Sequence, residues 1–162
     1  MSWIQIWKKS KKRYTWKHVE RACDGLSKRY DEATLPTTII ALARGGLVPA
    51  TILANKLGVR HVYSLGISSY DEGVFARPGE LNVYQRLPVN RRMQDGESVL
   101  IVDDISDKGH TFNFAKQYIQ DNVCSNTVTM SLVSKPGTSH EPDYVFDHVP
   151  AEQWVVFPWE ND

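Results

Sequence analysis

Three carboxylates and a threonine follow one apolar run in residues 99–111, Val-Leu-Ile-Val-Asp-Asp-Ile-Ser-Asp-Lys-Gly-His-Thr. Adjacent acids at Asp103 and Asp104 can hold a divalent cation or accept hydrogen bonds from paired hydroxyls. The loop Asp107, Lys108, Gly109, His110, Thr111 then leads into a helix-like segment, Phe112 to Asn122. The first N–H groups of such a helix lack internal partners and suit a phosphate. A phosphate beside two carboxylates requires Mg²⁺ between them or hydroxyls facing the acids, so the implied ligand is a phosphorylated sugar carrying diol and metal. An isolated Asp-Asp pair would be only a polar strand end; the strand before it and the Gly-x-Thr loop after it supply the chemical meaning.

A second constellation lies upstream. Arg44-Gly45-Gly46 follows the apolar run 37–43 and precedes a helix-like stretch from Ala50 to Leu57, closed by Gly58. Two glycines let backbone N–H groups approach an anion closely, and the arginine offers a bidentate fork for phosphate oxygens.

These groups need elements to hold them. β-branched apolar runs without alternation are the pattern of strands buried on both faces, as in parallel sheets flanked by helices. In such sheets ligands bind at the carboxyl ends of strands, where both constellations fall. A receiver-type domain also ends a strand in paired aspartates, but there the pair closes the first strand. Only residues 105–162 follow Asp104 here, too few for the four strands and five helices still needed. Strands are expected near 38–43, 60–67, 98–103 and 127–134, forming a twisted, mainly parallel sheet with helices on both faces. Thr15 is placed to cap a helix with Trp16, Val19, Cys23, Leu26 and Tyr30 facing the core.

Composition bounds the remaining possibilities. The chain has 162 residues, 41% of them apolar, enough for one ordinary core. Nineteen basic residues balance nineteen acidic ones, so no bulk field steers the chain to nucleic acid. Cys23 and Cys124 have no metal-ligand or redox spacing, and no apolar run approaches the ~20 residues that span a bilayer; a cytoplasmic enzyme with reduced thiols is expected. Residues 1–13 form a basic aromatic arm, with Trp3, Ile4, Ile6 and Trp7 followed by Lys8, Lys9, Lys11, Lys12 and Arg13. The expectation is that its aromatics pack on the domain 14–162 or on a neighbouring subunit, with contact to an anionic membrane surface as the alternative. Between Tyr70 and Gly96 periodicity is lost and Gly73, Pro78, Gly79 and Pro88 accumulate, which reads as a flap with a weak hairpin near Leu81–Leu87, or as a plain surface excursion.

Strand, Asp-Asp, two residues, Asp, and a Gly-containing loop ending in Thr together resemble the phosphoribosyl-pyrophosphate motif of type I phosphoribosyltransferases. Lys108 stands where that family usually has Thr or Ser, and His110 where Gly, Lys or Arg is usual. A cation at either position still favours a phosphate. Arg44-Gly45-Gly46 resembles the pyrophosphate loop of the purine enzymes. Residues 57–62 and 67–71, Ser134-Lys135-Pro136, Pro142-Asp143-Tyr144-Val145 and Gln153-Trp154-Val155-Val156, followed by Pro158-Trp159-Glu160, resemble the bacterial xanthine-guanine branch in order and approximate spacing.

The resemblance implies the type I phosphoribosyltransferase fold, with a hood at about 135–162, and Mg²⁺-dependent transfer of 5-phosphoribose from phosphoribosyl pyrophosphate to a 6-oxopurine. It implies that Arg44, Gly45 and Gly46 take the pyrophosphate, that Asp103 and Asp104 take the ribose hydroxyls and the metal, and that residues 107–111 take the 5′-phosphate. Asp107 is then the general base toward the purine. Lys135 donates to the 6-oxo oxygen, Trp154 stacks on the ring, and Val155 lies at the base in the hood. Arg77 is the flap cation of interest, and a homo-oligomer, dimer or tetramer, is implied. A donor-only lysine favours a keto oxygen over an amino group, and an indole face stacks well on a purine. Two other readings stay open: a regulator that binds phosphoribosyl pyrophosphate without catalysis, and a transferase for another base.

Overall fold

The computed structural model describes residues 10–69, 80–88 and 96–161. In chain order the elements are β1 (Lys11–Arg13), α1 (Trp16–Ser27), β2 (Thr38–Ala43), α2 (Leu47–Leu57), β3 (His61–Ser69), β4 (Leu81–Gln85), β5 (Val99–Ser106), α3 (His110–Asn122), β6 (Thr127–Ser134), β7 (Tyr144–His148) and β8 (Trp154–Val156).

Six strands form one sheet in the order β4-β3-β2-β5-β6-β7, and β1 pairs with β8 in a separate two-stranded ribbon. All neighbours in the large sheet run parallel except β4, which lies antiparallel to β3. The central strands bury both faces, and their alternate side chains divide between two layers. Ile39, Ala41, Leu100, Val102, Met130 and Leu132 pack under α1 and α2. Ile40, Leu42, Leu65, Val99 and Ile101 pack under α3 through Phe112, Ala115 and Ile119. Helices therefore cover both faces, and each strand of the expected set is present with its end moved by at most three residues.

The chain leaves β2 toward β3 on one side and later returns to place β5 on the other. The order of connections thus reverses between β2 and β5, a topological switch point that opens a crevice beyond the strand ends. Arg44-Gly45-Gly46 leaves β2 there, and Asp103 and Asp104 lie near the end of β5.

Four expectations are adjusted. Thr15 does cap α1, its hydroxyl accepting from the His18 N–H at 3.3 Å while its own N–H donates to His18 Nδ1 at 3.2 Å. Trp16, however, is 57% exposed, because it sits in the first turn and reaches sideways to Trp159 at 5.9 Å between ring centroids. Tyr30 lies beyond the helix, yet it packs against the core as expected, edge-on to Tyr144. The segment near Leu81–Leu87 supplies β4, whose antiparallel partner among the described residues is β3, so it forms the sheet edge. Strand β7 belongs to the main sheet, so the hood is smaller than residues 135–162 and centres on β8. The aromatic residues of the arm, most of the flap and Arg77 lie outside the described residues.

Candidate active site

Glycine chemistry brings the two loops of the switch point together. A Cβ on Gly45 would lie 2.2 Å from Asp104 Oδ2, and one on Gly46 would lie 2.2 Å from the Val102 carbonyl oxygen. At Gly46 the neighbours are backbone and only hydrogen fits, while at Gly45 a Cβ would displace the Asp104 carboxylate, so the Arg44 loop rests directly on the acid-bearing strand. The Gly46 N–H donates to the Leu42 carbonyl at 2.8 Å, which turns the chain out of β2 and into α2. Arg44 is exposed above this turn, and the Ala43–Arg44 peptide is cis.

Two cavities meet at Asp104. One, of about 410 Å³, is lined by Leu81 and by residues 103–112, so Asp103, Asp104, Asp107, Lys108, Gly109, His110 and Thr111 all face one space. The other, of about 670 Å³, is lined by Arg44, Gly45, Leu47, Val48, Asp104, Trp159, Glu160 and Asn161. The sequence-expected sugar-phosphate and pyrophosphate groups are therefore adjacent, with one carboxylate shared between them.

The acid pair is electrostatically unsatisfied. Burial, and then the neighbouring Asp104 charge, hold the Asp103 carboxyl well above the usual carboxylate range. Burial also pushes Asp104 up to about 6; Asp103 works against that rise and the charge of Glu160 adds to it. The Asp104 N–H donates to Asp103 Oδ1 at 2.9 Å. No cation is paired with either acid among the described ion pairs. A buried carboxylate and a partly buried one, both facing these cavities, are what a hard cation with its waters, or a sugar diol, would stabilise. The described residues hold no cluster of three or more metal-ligating side chains. The donor set at the cavity, the carboxylates of Asp103 and Asp104, fits a Mg²⁺ ion that takes its other ligands from substrate oxygens and water.

Lys135 begins the segment after β6. It is only 6% exposed, its N–H donates to the Ser106 carbonyl at 3.0 Å, and its Nζ lies 3.3 Å from Asp107 Oδ2. A buried ammonium thus stands beside the carboxylate of the phosphate loop. The remaining base-site expectations are dispersed. Trp154 is 53% exposed on β8, its N–H donating to the Ser10 carbonyl, and it lines neither cavity. The Val155 side chain packs in the core at 8% exposure, which leaves only its backbone to face a ligand.

Trp159 and Glu160 enter the site without having been assigned roles from sequence. Trp159 stacks on Phe157 at 4.9 Å with an interplanar angle of 2°, and the Phe157 N–H donates to Glu160 Oε2 at 2.8 Å. The Trp159 indole nitrogen is buried without a hydrogen-bond partner among the described residues, and it lies close enough to favour the Asp104 anion. The signal was present in Pro158-Trp159-Glu160, but its direction depends on a turn that sequence periodicity does not report.

A parallel sheet with paired acids, a glycine-arginine turn and a phosphate loop at its switch point defines an α/β protein built for a phosphorylated sugar. Residues 11–161 match the phosphoribosyl transferase domain family, and the chain belongs to that family; it is a phosphoribosyltransferase. Over 147 residues it is 32% identical to the xanthine-guanine phosphoribosyltransferase of Idiomarina loihiensis, covering 90% of this chain and 84% of that one. The purine phosphoribosyltransferase of Pyrococcus horikoshii Ot3 superposes with a TM-score of 0.81 at 31% identity, covering 94% and 95% of the two chains. The Helicobacter pylori xanthine-guanine-hypoxanthine enzyme shares the fold, with a TM-score of 0.76 at 22% identity over 93% and 94%.

Proposed function

We propose that this protein salvages purines by moving 5-phosphoribose from phosphoribosyl pyrophosphate to a nitrogen of guanine, xanthine or hypoxanthine, releasing pyrophosphate. The observation that carries the choice of base is the buried Lys135 ammonium 3.3 Å from Asp107, the carboxylate that lines the cavity containing the acid pair although Lys135 itself lies behind that lining. A donor-only group in that position rewards a keto oxygen and leaves adenine with an opposed amino group. The relatives named above act on purines, which supports the same reading.

In this reading Arg44 and the amides of Gly45 and Gly46 orient the pyrophosphate, so its growing charge meets fixed donors. Asp103 and Asp104 would hold the ribose hydroxyls and Mg²⁺, which when bound neutralises the phosphates. The amides of residues 107–111, with Lys108 and His110 beside them, would seat the 5′-phosphate. Asp107 receives the purine proton as the new bond forms, and Lys135 keeps that carboxylate in reach. Trp154 would reach the base only from a position nearer the cavity than the one it holds on β8.

Pyrophosphate release from phosphoribosyl pyrophosphate and Mg²⁺, measured across guanine, xanthine, hypoxanthine, adenine and orotate, tests the proposal. The 6-oxopurines should exceed adenine by about tenfold or more in kcat/KM. Lys135→Gln, which offers both donor and acceptor, should narrow that gap chiefly by slowing the 6-oxopurines. Better use of adenine or orotate than of every 6-oxopurine would refute the reading.

A further inference from the structure

The phosphate loop presents its amides to the cavity only if something holds its carbonyls on the other side. That role falls to residues 138–140, none of which lines either site cavity. The Lys108 carbonyl accepts from the Ser139 N–H and from the Ser139 hydroxyl, both at 2.8 Å. Gly109 has φ +81°, and a Cβ on it would lie 2.3 Å from the His140 nitrogen and 2.4 Å from Thr138 Oγ1. Asn113, in the first turn of α3, donates to Ser139 Oγ at 3.0 Å, and its Oδ1 pairs with His140 Nδ1 at 3.1 Å. The Ser106 hydroxyl donates to the His140 carbonyl at 2.9 Å. The His140 ring stacks on Phe112 and pairs through Nε2 with Thr129 on β6 at 3.0 Å. The last residue of β5, the loop and the start of α3 are thus clasped from behind by one short segment.

That segment begins at Lys135. We propose that Ser139 and His140 are positioning residues: they set the curvature of the 107–109 loop and register the 5′-phosphate against the base held by Lys135. The proposal rests on the purine reading for the role of Lys135, but its prediction for the phosphate end does not. In the proposed reading pyrophosphate seats on the Arg44 loop, whose backbone hydrogen bonds among the described residues run to Leu42, Leu47 and Ala50 and not to residues 138–140, so the two ends of the substrate should respond differently.

The test uses the full-length protein and its Ser139→Ala, Ser139→Thr and His140→Ala variants. Ser139 is exposed, so Ser139→Ala keeps the fold, and its thermal midpoint should stay close to the parent's. Calorimetry with ribose 5-phosphate should show about fivefold weaker binding for Ser139→Ala, with recovery in Ser139→Thr. His140→Ala, which loses two pairings and a stacked ring, should weaken it further. In the forward reaction the KM for phosphoribosyl pyrophosphate should rise by a similar factor with kcat nearly unchanged. In the reverse reaction the KM for the nucleotide should rise and that for pyrophosphate should not. An unchanged ribose 5-phosphate affinity in Ser139→Ala, or an equal rise in the pyrophosphate KM, overturns the proposal. Failure of all 6-oxopurines as substrates would instead defeat the purine reading, while the ribose 5-phosphate measurement still judges the clasp.

Discussion

Two loops lead from strand to helix at the same switch point, residues 43–47 after β2 and residues 106–110 after β5, and they are held in place by different physics. The first is shaped by exclusion. Gly45 and Gly46 press against Asp104 and the Val102 carbonyl, and one backbone hydrogen bond to Leu42 completes the turn. The second is held largely by attraction: Ser139 donates twice to the Lys108 carbonyl, Ser106 pairs with Thr138 and donates to the His140 carbonyl, and Asn113 donates to Ser139 in turn, with exclusion entering only at Gly109. Steric exclusion tolerates no added atom and is indifferent to distant side chains. A hydrogen-bonded brace can lose members one at a time, each at a modest cost.

The largest effect should therefore come from adding one methyl group to the first loop. Gly46→Ala drives a Cβ into backbone on two sides, with the Val102 oxygen at 2.2 Å and the Leu42 oxygen at 2.8 Å, where no side chain can yield. A loss of about 3 kcal/mol or more in stability is expected, together with loss of turnover, as measured by denaturant unfolding and pyrophosphate release. A stable, active Gly46→Ala enzyme would show that the first loop is not set by exclusion.

Asp104→Asn separates function from stability in the carboxylate shared by the two cavities. Turnover should fall by about 10²-fold or more if, as proposed, this group holds the ribose hydroxyls and Mg²⁺ and so needs its charge. Stability of the metal-free protein should rise at pH 7 by about 1–3 kcal/mol, because burial lifts this carboxyl from 3.8 to about 6. The folded state then binds more protons than the unfolded state between those values, so the parent loses stability as pH rises from about 4 to 6. The variant should lose Asp104's share of that decline and keep the share from Asp103, whose carboxyl burial also raises. Parallel pH–stability curves for the two proteins would remove the electrostatic account.

Asp107→Asn probes the second loop. With a general base at this position, kcat should drop by ~10²-fold while ribose 5-phosphate affinity stays within about twofold. The variant also releases Lys135 from its 3.3 Å ion pair. An unaltered kcat would leave Asp107 as a loop residue and the brace as the loop's main content.

The smallest effect lies outside both loops. Asp147 on β7 receives hydrogen bonds from Lys12 and Tyr14, which hold its carboxyl below the usual range although partial burial acts the other way. Being a third exposed, the Lys12 pair contributes at most about 1 kcal/mol. A depressed value stabilises above the ordinary carboxylate range and is lost as pH falls through it. Asp147→Asn should thus be slightly less stable than the parent at pH 7 and equal to it in strong acid, with kcat unchanged.

Much of the sheet was legible because buried parallel strands carry an unbroken apolar code: 38–43 and 127–134 were placed to the residue. Asp103, Asp104 and the 107–111 loop were legible because strand, acids, glycine and threonine are contiguous. Trp16 was misplaced because helical periodicity shows that a stripe exists but not which end of it the neighbouring layer covers. Strand β7 was taken into the hood because nothing local in Tyr144–His148 names its partner, β6.

The sequence by itself determined the four central strands with the helices between them, and the glycine-arginine and acid-glycine loops that follow two of those strands, since each depends on near neighbours in the chain. Tertiary structure decided everything that joins remote segments. It laid Gly45 on Asp104, set Lys135 beside Asp107, turned Trp159 and Glu160 toward the acid pair, and placed residues 138–140 behind the phosphate loop. The physical reason is that close packing and long-range hydrogen bonds depend on which surfaces the sheet order brings together, and that order is written in no single stretch of the chain.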